Sequence, residues 1–348
     1  MPDVSPANSP PAAAVPRAGV RRLRTGVVVL LLAANLVMLV SFLWDTDLER
    51  TGRGYLAVCL AVFMVRTFAF HLGLALAGVA VWAAWRRDRW LLALSLPVVA
   101  VILVPALAQH LPRQASVPAG PTLRVMHFNL LQSRRDPGPA IAEIRAARAD
   151  VVLLHEYAPH WDAALAAALA DDYPFAFRRP GSDCFGWAVY SRVPLEGIPQ
   201  DRSRPGLPGH RVVRTELLWG GRRLALYGVH LFPPAGLRGF RLQRRQFVHL
   251  AGLLAGESLP CVVCGDFNFT PRHRMFEALT EIGLADAHRI AGRGRGATWP
   301  ARGPFRWLPG LRIDHVRLGT GLTCAAIHTG AAAGSDHHPV IADIGFDP

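Results

Sequence analysis

Residues 26–44 form a 19-residue apolar stretch interrupted only by Asn35 and Ser41. That is enough helix to cross about 30 Å of hydrocarbon and too long for the core helix of an ordinary soluble domain. Two further stretches fit the same description. Residues 67–85 give a second candidate span once Arg66 is left outside it, and residues 90–108 a third, carrying Pro97 and Pro105. Residues 55–65 are then expected at the membrane interface or as a re-entrant segment. A cleavable signal peptide is the competing reading of the first stretch. Its apolar run exceeds the usual h-region, no small-residue cleavage site follows, and two more apolar stretches come after it.

The composition changes near residue 112. Beyond it, charged residues, Gly and Pro interleave with short apolar segments, the grain of a soluble domain. The chain therefore divides into a disordered basic tail (1–25), a membrane module (26–112, spans near 26–44, 67–85 and 90–108) and a second domain (113–348). Arg17, Arg21, Arg22 and Arg24 precede the first span, and Arg86, Arg87 and Arg89 separate the second from the third. By the positive-inside rule the N-terminus and that loop are cytoplasmic, so three spans place everything after residue 112 outside a bacterial-type plasma membrane. The net charge of +13 comes from arginine alone, there being no lysine. It favours phosphate-bearing partners by long-range attraction without choosing between nucleic acid and anionic lipid.

In the second domain, β-rich runs at 123–128, 151–154, 186–191, 212–219, 223–230, 261–265, 313–318 and 339–344 alternate with helical patterns at 138–148, 161–169, 242–255 and 272–282. Hairpin-like pairs mixed with strand-helix units argue for an α/β sandwich rather than a barrel. Cys261 and Cys264 have CxxC spacing but lie in one strand, where positions three apart face opposite ways, so neither a disulfide nor a shared metal is expected. The other cysteines, Cys59, Cys184 and Cys324, form no framework with them.

Polar residues gather at strand ends. Asn129 closes RVMHFN, Glu156 closes DVVLLHE and His230 closes LALYGVH; Asp266 and Asn268 follow PCVVCG; Asp314 and His315 lie in RIDHVRL; Asp336, His337 and His338 precede PVIADI. Taken singly, each has an ordinary explanation as a turn former, ion-pair partner or structural histidine. Strands of one sandwich, however, can bring such ends to a common mouth.

The segments HFN, HEY, YSR, GVHL, GDFN, RIDHV and GSDHHP, in this order over residues 122–346, resemble the motifs of the endonuclease/exonuclease/phosphatase (DNase I-like) superfamily. The resemblance implies a four-layered α/β/β/α sandwich and a metal-dependent hydrolase of phosphoric esters. It implies metal ligation by Glu156, Asn129 and Asp336, with Mg²⁺ expected and Mn²⁺ as the alternative. His337 matches the general base, Asp314 its orienting carboxylate, Asp266 and Asn268 the pair that holds the nucleophile and transition-state phosphoryl group, and His230 the group that assists the departing oxygen. His315 and His338 are expected to be supporting. His155 stands where the family often has glutamine, and Tyr190 where leucine is common; neither is expected to touch a catalytic role. The three-span layout also resembles membrane-anchored glycopeptide-resistance proteins of the VanJ type, which implies cell-envelope lipid substrates.

Expected partners are the bilayer and a phosphate-bearing, lipid-linked substrate, with nucleic acid as the alternative; nothing in the sequence calls for an obligate protein partner. Apolar loops after His230 (Leu231, Phe232, Pro233, Pro234, Leu237, Phe240) and before Asp314 (Trp299, Pro300, Phe305, Trp307, Leu308) suit contact with a lipid or, alternatively, a buried loop core. A nuclease and an inactive scaffold are the competing functions. A phosphatase reporter fused after residue 112 should be active outside the cytoplasm; an inactive fusion would overturn the orientation.

Overall fold

The structure, a computed structural model, describes residues 17–111, 117–209 and 211–348. The N-terminal part is helical: α1 (Arg17–Leu43), α2 (Arg53–Thr67), α3 (Ala69–Trp85) and α4 (Arg89–Ala108). Helix α1 starts before the apolar stretch, so residues 17–25, expected in the disordered tail, are helical; residues 1–16 and the expected boundary at 112–113 lie outside the described residues. α1 and α4 are each long and apolar enough to cross a membrane. α2 and α3 pass that test only together, and they bend by 60° at Phe68.

Both ends of this bundle are pinned. At one end Arg24, in the basic start of α1, pairs with Asp88 in the α3–α4 turn at 2.5 Å, so the two arginine-rich segments lie on the same side. At the other, Arg66 turns back to cap α1, donating to the carbonyls of Ser41 (2.8 Å) and Trp44 (3.0 Å). The arginine that interrupts the apolar pattern thus satisfies carbonyls that a helix end leaves without partners.

The remainder is a two-sheet α/β domain. It runs β1 (Leu123–Asn129), α5 (Gly138–Ala147), β2 (Val151–His155), α6 (Pro159–Ala168), β3 (Phe175–Arg179), β4 (Trp187–Ser191), β5 (Gln200–Asp201), β6 (Arg211–Trp219) and β7 (Arg222–His230). Then follow α7 (Gly236–Ala255), β8 (Cys261–Asp266), α8 (Arg274–Glu281), β9 (Ala285–Asp286), α9 (Ala287–Ala291), β10 (Asp314–Leu318), β11 (Leu322–Thr329) and β12 (Val340–Phe346). One sheet has the order β11-β12-β1-β2-β4-β3 and the other β5-β6-β7-β8-β10-β9. Each holds one parallel pair, β1 with β2 and β7 with β8, joined through a helix as parallel strands require.

Strand parity divides the core into layers. Leu123 and Val125 of β1, Val151 and Leu153 of β2, Leu224 and Leu226 of β7 and Val262 and Cys264 of β8 fill the space between the sheets. Their neighbours Met126, Phe128, Val152 and Leu154 meet α5 and α6 on one outer face, while Ala225, Tyr227, Cys261 and Val263 meet α7 and α8 on the other. Cys261 and Cys264 therefore lie on opposite faces of β8, and both are free thiols. The second outer layer also receives Cys59 and Phe63 of α2. Phe63 stacks on His273 at 3.8 Å between ring centroids, and Arg244 of α7 donates to the carbonyls of Asp47 and Arg50, so the helical module is packed onto the domain.

Glu257, just past α7, ties the helix to the sheet edge. It accepts from Arg214 at 2.7 and 3.2 Å and from the Tyr227 hydroxyl at 2.6 Å. Burial alone would raise its pKa, yet Arg214, Tyr227 and backbone N–H groups hold it down to about 2. A depressed carboxylate stabilises the fold above its unfolded pKa and loses that contribution as pH falls through the folded value. Glu257→Gln should therefore melt below wild type at pH 7, and the gap should close between about pH 5 and pH 2. A gap independent of pH, followed by tryptophan fluorescence, would disprove this.

Candidate active site

The parity that fills the inter-sheet core also builds the site. His127 and Asn129 continue the inward positions of β1, His155 that of β2, His230 that of β7 and Asp266 that of β8, because alternate residues share a face. Both parallel pairs end at the same rim, with Asn129 opposite His155 and His230 opposite Asp266. The antiparallel neighbours begin where these strands end: Asp314, first in β10, pairs with Asp266, and the 335–338 loop leads into β12 alongside β1. Polar side chains thus replace apolar ones at the top layer of one continuous core.

All eight residues expected in the site meet there. Asn129 Nδ2 donates to Glu156 Oε1 (3.0 Å) and Asp266 Oδ2 (3.3 Å). That Asp266 oxygen lies 3.7 Å from His230 Nε2 and 3.7 Å from His337 Nε2. His337 Nδ1 bonds Asp314 Oδ2 at 2.9 Å. Asp266 Oδ1 accepts the Asn268 N–H at 2.9 Å, and Trp299 Nε1 donates to Asp336 Oδ2 at 3.2 Å. Asn129 departs from the expected ligand role in one respect: its Oδ1 accepts the Leu131 N–H at 3.1 Å, and its nitrogen faces the carboxylates. In this orientation it braces two like charges.

Local backbone strain fixes an acidic residue and a carboxamide of the site. Glu156 and Asn268 have φ of 56° and 53°, the left-handed region, at a cost of roughly 1 kcal/mol or more each. At Gly265, immediately before Asp266, a Cβ would lie 1.9 Å from the Val229 carbonyl oxygen, so only glycine lets β7 and β8 meet closely here.

The electrostatics follow from crowding. Burial and the Asp314 charge push Asp266 up to about 8. Burial likewise raises Glu156. His337 is opposed by burial, but Asp314 and Asp266 outweigh it and lift the ring to about 10. His230, with no comparably close counter-charge, is pushed by burial and the neighbouring His337 down to about 3. One imidazole is thus held charged and the other neutral. Asp266, Asp314 and His337 place ligand-type atoms within 4.8 Å of one another, and Asp336 Oδ1 is buried without a hydrogen-bond partner. A set dominated by carboxylate oxygens, one of them orphaned, fits a hard divalent cation.

Three parts of the site were not anticipated. His155, expected to stand apart from catalysis, bonds His127 at 2.9 Å and lies 5.5 Å from the His230 ring. His127 Nδ1 is in turn 3.4 Å from Asp314 Oδ1, so buried imidazoles connect the two flanks of the site. The available signal was position: His127 stands two residues before Asn129, on the same face of β1. His315 and His338 bond the carbonyls of Phe269 (2.8 Å) and Gly330 (3.0 Å), as supporting residues do. The third is a wall. The cleft, of about 390 Å³, is lined by Phe63, Met64 and Thr67 of α2 and by Phe68 at the α2–α3 bend, together with Glu156, Asp266, Asp336 and His337. The apolar loops divide: Leu231 and Phe240 are core, Pro233 and Pro234 line the cleft, and Phe305, Trp307 and Leu308 are exposed.

A structure from Beutenbergia cavernae, described as an endonuclease/exonuclease/phosphatase, is similar at 25% identity and a TM-score of 0.56, covering 66% of this chain and 72% of its own. A Danio rerio TDP2 structure complexed with a single-strand DNA product shares the fold (14% identity, TM-score 0.53, 64% and 98% covered). So does a Neisseria 3′ phosphatase, NExo, bound to a product DNA hairpin (20%, 0.51, 65% and 100%). No curated protein matches the sequence. Residues 126–337, which hold all eight of the expected site residues, match the profile of the Endonuclease/Exonuclease/phosphatase family, and the chain belongs to that family.

Proposed function

We propose that this chain is a membrane-anchored, divalent-metal-dependent phosphoesterase that hydrolyses a phosphate ester or anhydride of a lipid or cell-envelope intermediate on the extracytoplasmic face. The observation that carries the lipid reading is the make-up of the cleft, where Phe63 and Met64 of α2 and Phe68 at the α2–α3 bend form an apolar wall beside the reacting groups. Such a wall favours a substrate with hydrocarbon next to its phosphate, by roughly 25 cal/mol for each Å² of apolar surface covered. In this reading α1, α3 and α4 span the membrane and α2 lies along its outer surface beneath the domain. The pairing of Arg24 with Asp88 supports it, because it gathers both arginine-rich segments at the bundle end opposite the cleft. The likeness of layout to VanJ-type proteins points the same way.

Glu156, Asp336 and Asp266 would hold Mg²⁺, or Mn²⁺ as the alternative, which when bound supplies charge neutralisation to the phosphoryl oxygens. Asp314 fixes the His337 ring with Nε2 toward the cleft; once a cation offsets the neighbouring carboxylates, the ring would give up its extra proton and, as the neutral imidazole, would take the proton of the attacking water there. Asp266 and Asn268 hold that water and the phosphoryl group. His230, neutral and 3.7 Å from Asp266, offers an N–H to the departing oxygen.

Release of phosphate or head group should be measured on undecaprenyl diphosphate, common phospholipids and DNA. Lipid turnover that EDTA abolishes and Mg²⁺ restores is expected, with Glu156→Ala and His337→Ala each lowering it roughly 10²–10⁴-fold. Asp314→Asn should lower kcat by a similar factor with little change in KM, since it disturbs the base and not the binding wall. The DNA-bound relatives favour a second reading, an extracytoplasmic nuclease, and cleavage of DNA alone would establish it. Silence on every substrate would leave an inactive scaffold.

A further inference from the structure

Next to the cleft lies a second cavity of about 260 Å³, between α3, α4 and the loops around residues 271 and 295. Among the described residues, Arg272, Arg289, Arg295 and Arg312 line it and no carboxylate does. Arg312 already has a counter-charge, since its terminal nitrogens bond both Asp286 oxygens at 2.9 and 2.8 Å. Among the described residues, Arg272 and Arg295 pair with no carboxylate. Arg272 gives one bond to the Ile102 carbonyl at 3.3 Å, and the Arg295 guanidinium lies 3.7 Å over the Phe70 ring. Burial lowers both, Arg295 to about 10, as happens to cations taken from water without a compensating anion.

A neutral group points to the same need. Thr270 is 6% exposed, and its buried hydroxyl has no hydrogen-bond partner. It lines both the arginine cavity and the catalytic cleft, as do Thr67 and Leu311, so the two spaces adjoin. Two guanidinium forks and a hydroxyl donor around one small space match the several acceptor oxygens of a tetrahedral phosphate better than a single-atom anion. The cavity touches Phe70 at the start of α3 and Pro105 near the end of α4, the helix ends that face the domain.

We propose that this arginine-lined cavity binds a phosphate group, contributed either by the substrate, as a second phosphate beyond the one that reacts, or by the head group of an anionic phospholipid. The substrate source rests on the phosphoesterase reading; the site itself does not. If the source is the substrate, the enzyme is selective for molecules with two phosphates a short distance apart, such as a lipid diphosphate.

The test uses the full chain in phosphatidylcholine nanodiscs with EDTA, titrated calorimetrically with inorganic phosphate. Saturable binding is expected. Arg272→Gln combined with Arg295→Gln should weaken it about tenfold or more, the scale of one charge-assisted hydrogen bond. Arg295→Lys, which keeps the charge but not the fork, should weaken binding less than Arg295→Gln and so separates lost charge from lost fold. Glu156→Gln, across the cleft, should leave phosphate binding in place. In discs containing phosphatidylglycerol, suppressed phosphate binding together with lipid retained in native mass spectra would identify the head group as the source; unsuppressed binding would identify a substrate phosphate. Wild type that binds neither phosphate nor phosphatidylglycerol, binding indifferent to the arginine substitutions, or binding lost in Glu156→Gln would each overturn the proposal. Absence of Mg²⁺-dependent hydrolysis would defeat the phosphoesterase reading while leaving these titrations unaffected.

Discussion

Negative charge confined in a dry space organises this molecule. Asp266 and Asp314 are almost wholly buried, and Glu156 and Asp336 face the same cleft. At such separations, in a medium less polarisable than water, mutual repulsion is strong enough that carboxylates cannot all stay ionised without compensation. The chain supplies part of it through the His337 imidazolium, the Asn129 carboxamide, the Trp299 N–H and backbone N–H groups. What is left over suits a small hard cation and, through it, a phosphate. The left-handed conformations of Glu156 and Asn268 and the glycine at 265 belong to the same demand. They hold acidic side chains where a relaxed backbone would let them separate.

The scaffold meets this demand with little special machinery. Two sheets, each with one parallel pair, send their inward residues to one rim, and the change from Val and Leu to Asn, His and Asp over the last turn of pleat converts core into site. Because those residues extend a close-packed layer, their positions inherit its rigidity. The His230–His155–His127–Asp314 series runs along that layer, so the environment of each imidazole depends on the others.

Most of this was legible in the chain. Long apolar stretches announced the helices, and alternation announced the eight strands that carry or flank the site. The strands that escaped notice lacked that signal. β3 is an exposed edge strand with almost no buried face, β11 is broken by an irregularity between Cys324 and Ala326, and β5 and β9 are two residues each. Residues 17–25 read as tail because arginines punctuate them, although arginine is a good helix former. The site residues were legible because their chemistry is unusual at strand ends. The partnership of α2 with the cleft was not, since Phe63, Met64 and Phe68 are ordinary residues for an apolar helix and only tertiary packing gives them a second task. His155 was undervalued for a related reason: its importance lies in two neighbours that the linear sequence keeps apart.

The shared wall means that the boundary suggested by composition does not divide this protein into an anchor and an enzyme. A fragment beginning at residue 117 would retain both sheets and every strand-end residue, yet one side of its mouth would open to bulk water. The same reacting groups would then face a different solvent, with a different choice of molecules able to approach them. Whatever such a fragment admits would reflect its own shape, and the mouth of the whole chain belongs to the joint between its two parts.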